Sequence, residues 1–302
     1  MTVPSMGDGV SRVPRWVYGS LAVGLVAASQ SGNIVRLGSA DPAAIVGWRL
    51  ALSFAVLAPF AWRHRGQALR LTALEWLLAV TCGMLLAAHL LTWVAAVQHT
   101  RVATASLLFA VNPVYTALGA AAIYGEKVTG RLWLAILLGL AGAAVLGWGD
   151  VRVGGDLTGP FLALACGMLF TAYFLVGKRL RTRMDNLPYV TLIYGVAGAV
   201  TLLALPAMGL PFVDYDGRTW GCFLLMAAVP TLMGHTSFNM ALRYLDASRL
   251  SVATLSEPAM AGLGAWVFWG EAVTPHMAAG YAFIAASVVV LVSERGAGRG
   301  GP

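Results

Sequence analysis

Apolar runs follow one another along almost the whole 302-residue chain, at 16–35, 42–62, 71–97, 102–124, 131–149, 157–178, 188–208, 217–241, 250–269 and 276–293, broken by charges or by Gly and Pro. A helix of about 20 apolar residues crosses the hydrocarbon core of a bilayer. The pattern therefore predicts an all-α membrane protein of ten transmembrane helices. Composition agrees: 59% of residues are hydrophobic and 11% charged, whereas soluble domains carry about 25% charged residues. The surplus of apolar side chains must face lipid, and no sizeable soluble domain is left over.

A net charge of +7 suits nucleic acid as well as a membrane surface, but the cations sit in short clusters between the runs. With the N-terminus inside, inner segments hold fifteen of them (Arg12, Arg15, Arg63, Arg65, Arg70, Lys127, Arg131, Lys178, Arg179, Arg181, Arg183, Arg243, Arg249, Arg295 and Arg299) and outer segments four (Arg36, Arg101, Arg152 and Arg218). Cationic loops stay in the cytoplasm, so both termini are expected there, with tails at 1–15 and 294–302, and no nucleic-acid partner is expected. The start resembles a secretory signal, Arg12 and Arg15 preceding an apolar stretch that ends at Ala27-Ala28-Ser29. Because the hydrophobicity continues to the end of the chain, we read it as an uncleaved first span. Cys82, Cys166 and Cys222 each stand alone within an apolar run, which suggests neither a disulfide framework nor a thiolate metal site.

Shifting the sequence by 145 residues aligns Asn112-Pro113 through Gly125-Glu126-Lys127-Val128-Thr129 with Glu257-Pro258 through Gly270-Glu271-Ala272-Val273-Thr274, and eight of the eighteen positions match. An internal duplication explains this, with one unit at 16–149 and the other at 156–293. Five helices per unit is an odd number, so the second unit enters the membrane from the opposite side. Such inverted repeats typify secondary transporters.

The segments Asn112 to Glu126 and Glu257 to Glu271 resemble the repeat signature of the EamA family, within the drug/metabolite transporter superfamily. Gln30-Ser31-Gly32-Asn33 ahead of Arg36, and Gly47-Trp48-Arg49-Leu50, are similar to the first half of that repeat. The resemblance covers roughly residues 16 to 293. It implies ten helices, both termini inside, a central cavity between the halves and a place in the bacterial cytoplasmic (inner) membrane. In one respect the chain departs from the family: the first-helix motif usually begins Trp-Gly, where this chain has Gln30-Ser31.

Glu257 is the acid placed deep within an apolar run. A carboxylate at mid-helix costs roughly 2.5–3.5 kcal/mol, so it must face a cavity, find a partner or hold a proton. Pro258 deprives the Thr254 carbonyl of its helical donor, and Pro113 does the same to Phe109, so both prolines are expected to kink their helices. Asn112 replaces the acid in the first half and either bonds a solute or packs helices. Thr231, His235 and Asn239, four apart, would share one helix stripe, and His89 would share a face with Thr92 and Trp93. Neither histidine has a second metal ligand at i+3 or i+4, and neither metal nor cofactor is expected. Gln30 and Asn33 either bind solute or join helices. Arg49 either pairs with an anionic group or snorkels to lipid phosphate; the family resemblance implies a structural or gating ion pair for it, with Asp41 as the candidate partner. The Gly-Glu-x-Val-Thr repeats have a mechanical reading, the glycines ending one helix and Thr129 and Thr274 capping the next, with Glu126 and Glu271 as turn residues. Trp93, Trp266, Trp269, Phe109 and Tyr115 either pack or stack on a flat or cationic solute.

Together these features predict a secondary transporter, not an enzyme. It would move a small amphipathic metabolite or drug outward by proton antiport, as a monomer or homodimer embedded in lipid. The chain has no Walker A motif. The rivals are an intramembrane hydrolase built on Ser106, Ser251 or Ser256 with the histidines, and a membrane scaffold or sensor; the chain has no Gly-x-Ser-x-Gly and no His-Glu-x-x-His.

Overall fold

The computed structural model describes residues 13–100, 102–147 and 157–297; Arg12, Arg101, Trp148, Arg152 and Arg299 lie outside them. Helices dominate the described residues, which include no strand. They are α1 (Arg15–Ser29), α2 (Ser31–Val35), α3 (Pro42–Ala61), α4 (Arg65–Leu69), α5 (Ala73–His99), α6 (Val102–Phe109), α7 (Asn112–Tyr124), α8 (Gly130–Gly147), α9 (Thr158–Arg181) and α10 (Asn186–Ala204). Then come α11 (Gly217–Met226), a π-helical segment (Ala227–His235), α12 (Thr236–Ala241), α13 (Ala247–Ala253), α14 (Glu257–Trp269) and α15 (Pro275–Ala297). Seven helical stretches are long and apolar enough to cross a membrane: Pro42–Leu69, Ala73–His99, Ala105–Tyr124, Thr158–Arg181, Asn186–Met208, Gly217–Ala241 and Pro275–Ser293. Of the other predicted runs, 16–35 is divided between α1 and α2, 131–149 falls on the shorter α8, and 250–269 is interrupted by a 3-10 turn at Thr254–Ser256. Phe268, Val289 and Leu203 remain 70%, 65% and 77% exposed, the signature of a lipid-facing surface.

Local chemistry sets the helix ends. The Asp41 carboxylate accepts the Ala43 N–H at 2.8 Å with Pro42 at the first helical position, starting α3. Thr72 and Glu75 form a reciprocal capping box for α5. Gly125 and Gly270 close α7 and α14 at φ 65° and 67°. In both places the glycine N–H bonds the carbonyl four residues back at 3.1 Å and the following glutamate N–H the carbonyl six back at 3.3 Å, so the left-handed glycine cap repeats as the sequence does. The Thr129 hydroxyl accepts the Leu132 N–H at 3.1 Å, as a cap should, whereas the Thr274 hydroxyl lies 2.9 Å from His276 Nδ1.

The helices pack in pairs: α5 along α9, α3 along α10, α8 along α15, and α1 against the π segment and α12. The 145-residue shift maps α3–α10 and α8–α15 onto themselves and α5–α9 onto the packing of α1 against 217–241. Small residues permit the closest crossings. A Cβ on Gly142 would sit 2.8 Å from the Gly280 carbonyl, and one on Gly280 would sit 3.0 Å from that of Gly142.

Candidate functional site

A cavity lies where α1–α2, α5, α6, α9, α12 and α14 converge, and it leaves about 50 Å³ for the centres of water molecules. That accommodates a few waters and no metabolite, so the site is collapsed in this conformation. Its polar wall holds His89, His235, Glu257, Ser106, Ser29 and Ser31; its apolar wall holds Trp93, Phe109, Phe170 and Phe238.

Glu257 stands at the first position of α14 and borders the cavity, with no hydrogen-bond or ion-pair partner recorded among the described residues. Pro258 acts differently from expectation. The preceding 3-10 turn lets the Glu257 N–H reach the Thr254 carbonyl, so that carbonyl is not a free acceptor. The companion carbonyl, Phe109, takes the Asn112 side-chain N–H at 3.0 Å. Asn112 is buried beside this break and is absent from the cavity lining. Both prolines follow a break in the helix rather than a smooth bend, at 110–111 and 254–256.

His89 lies with Nδ1 3.1 Å from the Cys166 carbonyl. A carbonyl only accepts, so Nδ1 carries the proton and Nε2 is left as the acceptor. The His235 ring is 5.9 Å from that of His89, and its buried Nδ1 has no partner. These histidines come from α5 and the end of the π segment, and no sequence spacing relates them to Glu257.

The predicted Thr231–His235–Asn239 stripe is buried but does not line the cavity as a set. Pro230 has no N–H for the Met226 carbonyl; the Thr231 hydroxyl supplies the bond at 2.8 Å, and the chain widens into a π-helix. Only His235 borders the cavity. Thr231 instead accepts from Arg49 Nε at 2.9 Å, and Asn239 accepts from the Tyr173 hydroxyl at 2.7 Å while its carbonyl takes Arg181 Nε at 2.8 Å. Arg49 neither pairs with Asp41 nor snorkels. Asp41 is occupied as a cap, and eight residues of helix place Arg49 about 12 Å further in. There it is 0% exposed, and both terminal guanidinium nitrogens lack partners.

Gln30 and Asn33 join helices. Gln30 donates to the Met260 carbonyl at 3.2 Å, and Asn33 donates to the Ala261 carbonyl at 3.0 Å and to Gln30 at 2.9 Å, tying α2 to α14. Of the inner aromatics, Trp93 and Phe109 border the cavity in an edge-on pair with centroids 5.8 Å apart. Trp266 and Trp269 are instead partly exposed. The contribution of Cys166, Phe170 and Phe238 has no sequence signal, because each is one apolar residue within an apolar helix.

Glu126 does more than close a turn. Its buried carboxylate pairs with Lys178 at the end of α9 and accepts the Ala247 N–H at 3.1 Å, the Ser248 N–H at 3.2 Å and the Ser248 hydroxyl at 2.6 Å. Burial opposes its ionisation, but Lys178 and Ser248 outweigh that, and the carboxyl is held below its ordinary range. Glu271, its repeat counterpart, pairs with Arg36 at 2.7 Å on an exposed surface, where Arg36 also covers Trp269 at 4.8 Å. The two lie at opposite ends of the bundle: α9 carries Lys178 at one end, and at the other Gly159 packs on Thr100, beside Gln98, which bonds the Ala40 carbonyl. The Lys178 end also gathers Asp185, which a hydrogen bond from Gln67 and then Arg243 hold below the usual carboxylate range.

The model of the EamA-like transporter family matches residues 17–148 and again 157–293. An uncharacterized transporter of Archaeoglobus fulgidus is 28% identical over 92% of this chain and 97% of its own. A probable terminal-alkyne amino-acid exporter of Streptantibioticus cattleyicolor is 30% identical over 67% of each chain. A protein RarD from Salmonella typhi is 24% identical over 77% of each. One solved structure superposes with a TM-score of 0.75 over 92% of this chain and 98% of that one at 20% identity, which establishes a shared fold. Two family matches in tandem, on a chain of long apolar helices, make the assignment: this is a multi-pass membrane protein that belongs to the EamA-like transporter family.

Proposed function

We propose that the chain is a secondary transporter that exports a small amphipathic metabolite across the bacterial inner membrane in exchange for protons. In this reading ten spans form two inverted units, 16–149 and 156–293, both termini are cytoplasmic, and the cavity opens alternately to either side. The packing pairs that the 145-residue shift interchanges support two related halves. The observation that carries the coupling is Glu257, an acid bordering an aromatic-walled cavity with no hydrogen-bond or ion-pair partner among the described residues. When the cavity opens to the cytoplasm, solute displaces the proton from Glu257; when it opens outside, a proton displaces the solute. The exporter of S. cattleyicolor supports the outward direction. Glu126 with Lys178, Ala247 and Ser248 would close the cytoplasmic end, and Arg36 with Glu271 the outer end.

Glu257→Gln keeps the shape of the side chain and removes its titration. Reconstituted in proteoliposomes, the variant should lose pH-gradient-driven accumulation while retaining solute exchange. Unchanged accumulation would return Glu257 to helix packing.

A further inference from the structure

We infer that Arg49 is a carboxylate-binding site, and that the transported solute is a zwitterion whose carboxylate docks on Arg49 and His235 while its ammonium group meets Glu257. This deepens the transporter reading above and rests on it.

The guanidinium of Arg49 is permanently charged and 0% exposed, yet it makes one hydrogen bond, Nε to the Thr231 hydroxyl at 2.9 Å. Its two terminal nitrogens are buried and unpartnered, and no ion pair to it exists among the described residues. Helix packing does not explain such an arrangement, because a structural arginine in a membrane interior is held by carbonyls or a carboxylate. Arg181 of the same protein illustrates the contrast: it donates to the carbonyls of Asn239 and Met184 and lies over the Tyr189 ring. Arg49 instead keeps both nitrogens of its planar fork without an acceptor, and that fork is the shape that a carboxylate matches bidentately.

The second observation is independent. His235 borders the cavity, one turn beyond the Thr231 that anchors Arg49, and its Nδ1 is also buried without a partner. Thr231 thus ties Arg49 of α3 to the π segment that ends at His235, and Arg49 and His235 both keep unsatisfied buried nitrogens. Glu257, the one carboxylate bordering that cavity, is likewise unpaired. One acid and one base left unpartnered in the same interior are complementary to a molecule bearing both charges. The rings of Trp93, Phe109, Phe170 and Phe238 provide the apolar surface for its side chain. Widening the cavity along the π segment would bring the solute to Arg49, and a π-helix, often found at functional sites, supplies an alternative hydrogen-bond register for that change.

The test is equilibrium binding to the full-length protein in nanodiscs, using L-phenylalanine, its methyl ester, 3-phenylpropionate and 2-phenylethylamine. Wild-type protein should bind phenylalanine roughly thirtyfold or more tightly than the ester, the low end for a desolvated charge pair. Arg49→Gln should remove that ratio. Glu257→Gln should preserve it, while removing the advantage of phenylalanine over 3-phenylpropionate. The wild-type acid-to-ester ratio needs no variant, so poor folding of Arg49→Gln leaves the inference exposed to refutation. Equal binding of acid and ester, or no binding of either carboxylate, overturns it. Binding of 2-phenylethylamine alone, lost in Glu257→Gln, would overturn the Arg49 site and leave the proton-exchange reading standing. A persistent acid-to-ester ratio with unimpaired proton coupling in Glu257→Gln would do the reverse.

Discussion

Replacing Glu126 by Gln should loosen the Lys178 end of the bundle, cytoplasmic in the proposed topology, and leave the Arg36 end closed. The wild-type carboxylate, with its side chain 8% exposed, receives three hydrogen bonds and the Lys178 ammonium. Hydrogen bonds to a charge are worth about 1.5–3 kcal/mol each, and removing one partner of a buried pair costs about 3–5 kcal/mol. Glutamine retains one acceptor oxygen, so about 3 kcal/mol is a reasonable loss to the closed state. If those contacts are broken when the end opens, the open population rises by roughly 150-fold. Cys166 reports on this: it is fully buried, with Sγ 3.2 Å from His89 Nδ1 beside the cavity. In a Cys82→Ala/Cys222→Ala background, a membrane-impermeant maleimide applied to inside-out vesicles should alkylate Cys166 of the Glu126→Gln variant on the order of a hundred times faster. Right-side-out vesicles should respond little. Lys178→Gln should give a smaller effect that is not additive with Glu126→Gln. An unchanged rate, or equal acceleration from both faces, refutes the latch. The sign of the pH dependence is also set. A depressed carboxyl stabilises the closed state above its ordinary range and loses that stabilisation only as pH falls through its lowered value, so the latch holds at neutral pH and releases only in acid. Any dependence of transport between about pH 5 and 8 should therefore survive Glu126→Gln.

Three further outcomes follow from the same geometry. Glu271→Gln breaks a pair whose side chains are 42% and 50% exposed, which is worth about 0–1 kcal/mol, so labelling from the outer face should change by no more than about fivefold. Gly142→Leu forces a side chain against the Gly280 carbonyl, 2.8 Å from the first added carbon, and should cost about 1–3 kcal/mol or more, read as a lower midpoint of thermal unfolding in detergent. Asn112→Asp replaces the donor to the Phe109 carbonyl with a second buried acid and should yield less monodisperse protein than Asn112→Gln, as size-exclusion chromatography will report.

The membrane class, the helical runs and the repeated Asn/Glu-Pro segments were legible because hydropathy and helix-end chemistry are local: Gly125 and Gly270 end helices for reasons contained within five residues. Glu257 and the histidines were legible as candidates because polar groups in apolar runs are costly wherever they lie. What each one touches was not legible. Regular 3.6-residue spacing placed Thr231, His235 and Asn239 on one stripe, but Thr231 is taken up by Arg49 and Asn239 by Tyr173 and Arg181, partners from other helices that leave His235 alone at the cavity. Gln30 and Asn33 left solute and helix partners open, and the choice fell to the carbonyls of Met260 and Ala261, more than two hundred residues away. Arg49 pairing with Asp41 failed because Asp41 is already committed to its own helix end.

Duplication makes the remaining asymmetries informative, since two copies of one unit begin with the same chemistry and diverge where their tasks differ. Asn112 and Glu257 are equivalent positions, yet the first donates to the Phe109 carbonyl away from the cavity, its buried Oδ1 unpartnered, while the second borders the cavity. Glu126 and Glu271 are equivalent as well, yet one is buried in a four-contact network and the other holds a single exposed pair. In the proposed exchange one titratable copy is enough, and the repeat position that lies off the cavity, Asn112, carries no acid. If the two glutamates act as the proposed gates, the stronger network closes the end where Lys178, Asp185 and Arg243 gather, and opening that end is the step that solute binding would have to drive.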